Sequence, residues 1–451
     1  MINTVSLSLD QAPPISIPFR FFLTAPLFAI GAGLELLILG DEMIATRWSP
    51  LTLGLTHLLT LGVLGMVMCG ALLQMLPVIA GSPVPRVMLV GTLTHLLLIL
   101  GTLLLTISFL SGSVVVTLAA LTCLGICFGL FVIAAGIALW RLVAPGVTIR
   151  GMRLTLVALV VTVILGMAAA LGYVGIAPIG HLSLVTNIHL GWGLLGWVGL
   201  LLVSVSFQLV PMFQITPEYP SWVKRYLPSS VFIGLFAWLL LKLVPVMAWS
   251  DAPAQLAVAL VVSGYILFSV TTLRLLSQRK RRVPDVTLLF WRLGMYALVL
   301  CALLWIGGAL FPPPDAAHYF SMLLGIGLIQ GVALSVINGM LYKIVPFLCW
   351  FHLQNRQMAL MSMTVRVPHM KEFVTDRSAK RQFHLHLSGL VFTLAAAVAP
   401  LWFLRPAALL FILSNSLLLL NLAAAVQKYR ATFKLLTPPA PGPTAGVGGT
   451  G

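Results

Sequence analysis

The chain has 451 residues, of which 60% are hydrophobic and only 8% charged, and its formal net charge is +16. A soluble domain has about a quarter of its residues charged, so this composition excludes an ordinary soluble enzyme and makes lipid the solvent for much of the chain. The positive charge does not mark a nucleic-acid partner, because Lys and Arg sit in the short connections between apolar runs, where they act as topology signals.

The stretch from Met1 to Pro18 is mixed and polar, with prolines at 13, 14 and 18, and lacks the pattern of a cleavable signal peptide, so the first apolar run is expected to be a membrane anchor. A spanning helix needs about 20 apolar residues. Twelve runs qualify, starting near Phe19, Thr52, Val87, Val114, Leu154, Leu182, Val231, Gln255, Val286, His318, His386 and Pro406. Turns are marked by Gly81-Ser82-Pro83, Ala144-Pro145-Gly146 and Pro312-Pro313-Pro314. The segment from Phe351 to Gln382 reads as the longest loop, basic and apposed to an anionic membrane surface. Residues 1–437 are expected to form one membrane domain, and the Pro/Gly-rich residues 438–451 a disordered tail.

With the N-terminus inside, 22 of the 26 Lys and Arg fall on the cytoplasmic side, Lys343 is expected to be a twenty-third, and only Arg47, Lys242 and Arg405 lie toward the outside. The positive-inside rule then places both termini in the cytoplasm of a cell whose inner membrane holds a multi-pass protein. The five cysteines all lie in apolar runs and form no CxxC or CxxCH motif, so neither a disulfide framework nor covalent c-type heme attachment is indicated.

The second, sixth and tenth helices end alike, in Gln74-Met75-Leu76-Pro77, Gln208-Leu209-Val210-Pro211 and Lys343-Ile344-Val345-Pro346, with prolines 134 and 135 residues apart. Three other helices begin with Arg20, Arg153 and Arg292, spaced 133 and 139. One shared period predicts three parallel repeats of four helices, at about 19–143, 150–276 and 286–426.

Polar side chains inside a membrane are costly and need a partner or a role. His57, His189 and His318 all fall toward the outer ends of the helices that the period makes equivalent, with His181 just before the sixth. Neutral imidazole is a good heme ligand. Glycines at 62, 65 and 70, and at 191, 193, 196 and 199, clear flat faces for a porphyrin or for another helix. The competing reading is close packing with each histidine hydrogen-bonded across helices. His384 and His386 open the eleventh run beside Arg377, Lys380 and Arg381, and read as interfacial residues or an accessory metal pair. Glu35, in the outer half of the first helix, is a candidate proton carrier or neighbour of a heme propionate.

The stretch Thr56-His57-Leu58-Leu59-Thr60-Leu61-Gly62-Val63-Leu64-Gly65-Met66 resembles the H-x-L-T-x-G-x-x-G-M segment of the NnrS family, and Phe19-Arg20-Phe21-Phe22-Leu23 resembles that family's F-R-x-F-F-L start. The resemblance implies a twelve-helix bacterial membrane protein associated with heme, with copper and with nitric oxide metabolism. Twelve helices in three groups of four are also similar to subunit I of the heme–copper oxidase and nitric oxide reductase superfamily. By that analogy His57 matches a low-spin heme ligand, His189 the helix-six histidine and His318 the helix-ten position. The copper set is incomplete: His318 lacks a paired H-x-H, and the seventh helix has no histidine.

The expectation is an all-α, oxidase-subunit-I-like membrane protein that binds b-type heme through His57, His189 and His318. Copper is a further expected cofactor, and NO, a quinol or a redox protein are the expected partners beside the lipid bilayer. The alternatives are a non-redox transporter with a polar pathway through Glu35 and Lys242, and a quinol-linked oxidoreductase.

Overall fold

The computed structural model describes residues 13–40, 46–142, 146–243, 251–280, 283–311, 317–361 and 365–436. The tail at 438–451, Asp41-Glu42 and the Pro312-Pro313-Pro314 turn lie outside them. Among the described residues the protein is all-α, with no strand and twelve long helices. They are α1 (Ser16–Leu39), α2 (Pro50–Val78), α3 (Val87–Ser111), α4 (Val114–Trp140), α5 (Val147–Tyr173), α6 (Leu182–Gln214), α7 (Ser221–Leu243), α8 (Ala252–Ser277), α9 (Val286–Leu310), α10 (Tyr319–Ala359), α11 (Asp376–Ala396) and α12 (Pro400–Leu435). All except α11 are long and apolar enough to cross a membrane, whereas α11 opens on a charged turn that includes Asp376, Arg377, Lys380 and Arg381.

The sequence determines where several helices start. Ser49 accepts from Thr52 N, with Pro50 in the first turn of α2. Asp285 accepts from Leu288 N at the head of α9, and Thr375 from Ser378 N at the head of α11. Gly112, at φ 61°, makes the left-handed turn between α3 and α4. Helices α5, α7 and α11 begin seven to ten residues earlier than their apolar runs. Hydropathy marks only the part of a helix that sits in hydrocarbon, while the backbone stays helical into the headgroup region. The expected long loop is likewise mostly helical: α10 runs to Ala359, and a one-turn helix at Met370–Phe373, capped by His369, precedes α11.

Helices α2, α6 and α10 form the inside of the bundle. Between 56% and 72% of their spanning residues are buried, against 28–44% for the other eight spans. The remaining nine helices close a ring around them. Each inner helix packs on the helix that precedes it (α1, α5, α9), and hairpins α3–α4, α7–α8 and α11–α12 fill the gaps. Helices α4 and α8 pack on α5 and α9, and α12 returns to α1. Small residues allow the close approaches. A Cβ on Gly62 or Gly70 of α2 would lie 2.5 Å from Phe28 or Phe21 of α1, and one on Gly339 of α10 would lie 2.6 Å from Phe290 of α9.

Each inner helix is broken by a π-helical segment: Thr60–Gly65 in α2, Trp192–Val198 in α6 and Gly327–Leu334 in α10. These start 132 and 135 residues apart. The segment of α10 packs against both of the others, so all three converge near the centre of the bundle. A π turn widens the helix and releases backbone carbonyls, which need donors where water is scarce. Hydroxyls supply them. Thr60 Oγ1 donates to Thr56 O at 2.8 Å, Ser335 Oγ lies 3.2 Å from Gln330 O, and the Tyr265 hydroxyl from α8 donates to Leu195 O. Gly199 makes room for that tyrosine, since a Cβ there would collide with the hydroxyl.

Candidate functional site

Above the three π segments is a cavity of about 970 Å³. Its floor includes Thr60 and Leu61 of α2, Leu194 and Trp197 of α6, and Ile329 and Gln330 of α10. Its walls are mainly aliphatic and aromatic. Arg47, Trp48, Lys242 and Asp251 also line it, at the end where α2 and α8 begin and α7 ends. There the Arg47 guanidinium lies 4.3 Å from the Trp48 ring centre, and Lys242 Nζ is 2.6 Å from Asp251 Oδ1. The ammonium of Lys242 holds the Asp251 carboxyl below its ordinary range.

Two histidines face this cavity, each three residues before the π segment of its helix: His57 on α2 and His189 on α6. Their ring centres are 6.3 Å apart and their planes within 11° of parallel. His57 Nδ1 is 2.7 Å from Leu53 O, one turn back on its own helix. His189 Nδ1 is 3.0 Å from Thr162 O on α5. A carbonyl only accepts, so each Nδ1 carries the proton and each Nε2 keeps its lone pair. Among the described residues neither Nε2 has a hydrogen-bond partner.

The surrounding helices hold both rings in place. Gly166 of α5 lies under the His189 ring, where a Cβ would be 2.7 Å from Cε1. Phe109 of α3 flanks His57 at 5.1 Å between ring centres, and Tyr173 packs edge-on against Phe109 at 5.4 Å.

The other candidates lie elsewhere. The helical turns leading into α10 begin at Ala317, so His318 precedes the π segment of α10 by nine residues rather than three, roughly 9 Å farther out at 1.5 Å per residue. Its side chain is outside the described residues, and the residue at the three-residue offset is Leu324, which lines the cavity. His318 is therefore not at the depth of the other two. His181 is exposed at the start of α6. Both carboxylate oxygens of Glu35 are buried without a partner, and Oε1 would lie 3.4 Å from a Cβ on Gly54 of α2.

His384 and His386 part company: His384 is exposed, while His386 is fully buried with Nε2 2.8 Å from Ser335 Oγ. They do not form a metal pair, and His386 is not interfacial. His95 pairs with Thr24 at 3.0 Å and His352 with Tyr429 at 2.8 Å, which accounts for both as packing residues. Among the described residues no group of three or more His, Cys, Asp or Glu is placed to hold a metal ion.

The glycine-rich sequence after His57 and His189 signals the floor of the site, but nothing in it specifies a π turn. Thr162, Gly166 and Tyr265 position site elements from neighbouring helices, and no local motif points to them. The sequence matches no family model and no curated protein.

Proposed function

We propose that this chain is a heme-binding protein of a bacterial inner membrane, with both termini in the cytoplasm, in which His57 and His189 hold one b-type heme between α2 and α6. The observation that carries this reading is the state of the two imidazoles. Each Nδ1 is tied to a backbone carbonyl, and each Nε2 is left with a free lone pair in an apolar cavity. That arrangement orients a histidine ligand and raises its basicity.

The donor set supports heme over a bare ion. Imidazole nitrogen binds a metal at roughly 2 Å, so two histidines clamping one ion in line would hold their ring centres roughly 6 Å apart. The 6.3 Å found here agrees with that distance. An aromatic pair also tolerates such a distance, but packing alone gives no reason to leave both Nε2 atoms unpaired. Two protein donors are too few for a free ion, whereas a porphyrin brings its own four equatorial nitrogens. The cavity of about 970 Å³ is at the upper end of the range for organic ligand sites, about 300–1,000 Å³.

When bound, heme would supply an iron that exchanges single electrons; with His57 and His189 both holding it, a small ligand such as NO would bind by displacing one of the two imidazoles. The protein's part is to fix the two imidazoles, exclude water through apolar walls, and present Arg47 to a carboxylate group at the mouth. The recurrence of π segment and histidine on α2 and α6, with a third π segment on α10, supports organisation in three repeats over 19–143, 150–276 and 286–426. The physiological role we assign is nitric oxide or nitrogen-oxide handling, or electron transfer tied to it.

The test is an optical spectrum of protein purified from heme-replete cells, oxidised, reduced with dithionite, and with NO added. A Soret band that is lost in both His57→Ala and His189→Ala, with expression and melting retained, is the expected result. A colourless wild-type protein would discard the heme reading and leave a transporter as the better account of the cavity.

A further inference from the structure

A second polar system lies outside the histidine pair. One face of α11 carries Ser378, Gln382, His386 and Thr393, spaced by four, four and seven residues. This places them on one stripe about 22 Å long at 1.5 Å per residue. The stripe faces polar groups of α10 and α12. Ser378 Oγ is 2.6 Å from Asn421 Oδ1, and Asn421 Nδ2 is 2.9 Å from the Tyr342 hydroxyl. Gln382 Nε2 is 2.9 Å from Ser414 Oγ. His386 Nε2 is 2.8 Å from Ser335 Oγ, which in turn is 3.2 Å from Gln330 O. Gln330 and Thr393 line the cavity. The stripe thus runs from the charged first turn of α11 to the cavity floor.

Polar side chains between membrane helices often serve as glue, and a glue would satisfy its own members. This one does not. Gln382 Oε1, His386 Nδ1 and Gln330 Nε2 are all buried without a partner, and they lie in succession along the stripe. Gln382 and His386 are at most 1% exposed, and Gln330 is 5% exposed. Leaving such groups unpaired away from water is costly, and bound water is the usual remedy.

We propose that the α10–α11–α12 interface holds a file of water that joins the charged end of α11 to the cavity and carries protons along it, with His386 as its relay. Ser335 has one hydroxyl proton. When it donates to Gln330 O, His386 donates from Nε2 to Ser335 Oγ and Nδ1 is a bare lone pair. A proton taken from water at Nδ1, and the Nε2 proton passed to Ser335 Oγ as the Ser335 hydroxyl turns from Gln330 O and hands its own proton to a water of the file on the cavity side, leave a neutral imidazole of the other tautomer, which rotation of the ring and the hydroxyl resets. One proton enters, one leaves, and no electron moves. The file stands on the unpaired atoms alone and does not depend on the heme reading.

The experiment is X-ray radiolytic labelling of the detergent-purified full chain in oxygen-18 water, read by mass spectrometry. Phe290, whose ring adjoins the file at His386, should take up water oxygen several-fold faster than the equally enclosed Phe21 and Phe131 in α1 and α4. Labelling of Phe290 no faster than that of Phe21 and Phe131 would overturn the file. For the relay, the ring C2 hydrogen of His386 should exchange measurably in heavy water over days. No exchange at His386 after exposed His384 has exchanged fully would overturn that role. Both measurements use the unaltered protein, so a failure to fold cannot imitate either answer.

Discussion

Gly166→Ala tests the histidine pair without altering either imidazole. The added Cβ would lie 2.7 Å from His189 Cε1 and 3.1 Å from Nδ1, so the ring must retreat by about 0.7 Å to reach the 3.4 Å at which ordinary contact begins. That movement disturbs the 3.0 Å bond from Nδ1 to Thr162 O, which fixes the tautomer and aims Nε2. Changes of this kind cost roughly 10–100-fold in affinity for a bound metal centre, or about 1.4–2.7 kcal/mol. The assay is titration of heme into heme-depleted protein, followed at the Soret band. Gly129→Ala is the control, because its Cβ would meet nothing within 4 Å, and His189→Ala sets the ceiling. A Gly166→Ala protein that melts normally and binds heme as tightly as wild type would refute the argument that α5 positions His189.

Other consequences concern packing, charge and topology. Gly62→Ala pushes a Cβ to 2.5 Å from the Phe28 ring and should cost about 1–3 kcal/mol, seen as a lower melting temperature in detergent. Asp285→Asn keeps a side-chain cap for Leu288 N but removes the counter-ion 2.5 Å from Lys343 Nζ, and should cost about 3 kcal/mol. Adding Lys343→Met should recover most of that loss, and failure to recover would refute the unpaired Lys343 charge as its cause. With both termini inside, an impermeant maleimide applied to intact cells should label Ser111→Cys and spare Ser277→Cys, both exposed positions. The reverse pattern would invert the topology.

The parts of the molecule legible in the sequence are those written in composition and spacing. Apolar runs located all twelve helices, and the 134- and 135-residue proline spacing picked out α2, α6 and α10, which prove to be the inner helices. His57 and His189 were legible for the same reason, each lying just ahead of a glycine-rich turn. What escaped depends on geometry between helices. A π turn inserts one residue without changing hydropathy, so its position cannot be read from the apolar pattern. Without that landmark His318 passes for an equivalent of the other two, when it lies six residues farther from its π segment. His386 looked interfacial because the apolar run starts there. The helix starts at Asp376, and ten residues of rise carry the imidazole into the core. Thr162 and Gly166 act on His189 from α5, across 27 and 23 residues of chain, and leave no mark next to it.

The π segments give the most direct test of how the fold aims the two histidines. A π turn is one residue inserted in an α-helix, so deleting Leu61 should return Thr60–Gly65 of α2 to α geometry. Everything on the His57 side of the deletion then rotates by about 100° and shifts by about 1.5 Å relative to the rest of the helix. Such a rotation takes His57 off the cavity wall, separates it from His189, and swings Gly54 away from Glu35. The deletion removes Leu61, which is half-buried against the core, but Val63, Leu64 and Met66 keep their places in it. The expected outcome is a protein that inserts and melts cooperatively but has lost the heme spectrum, a loss as large as that of His57→Ala. Inserting one alanine after Leu59 in the deleted chain should restore the spectrum, because the register and not the identity of residue 61 carries the effect. If the deletion protein retains the wild-type spectrum, the π turn does not aim His57. If the spectrum is lost but the insertion fails to restore it in a protein that melts normally, the loss comes from the Leu61 side chain, and the register argument falls.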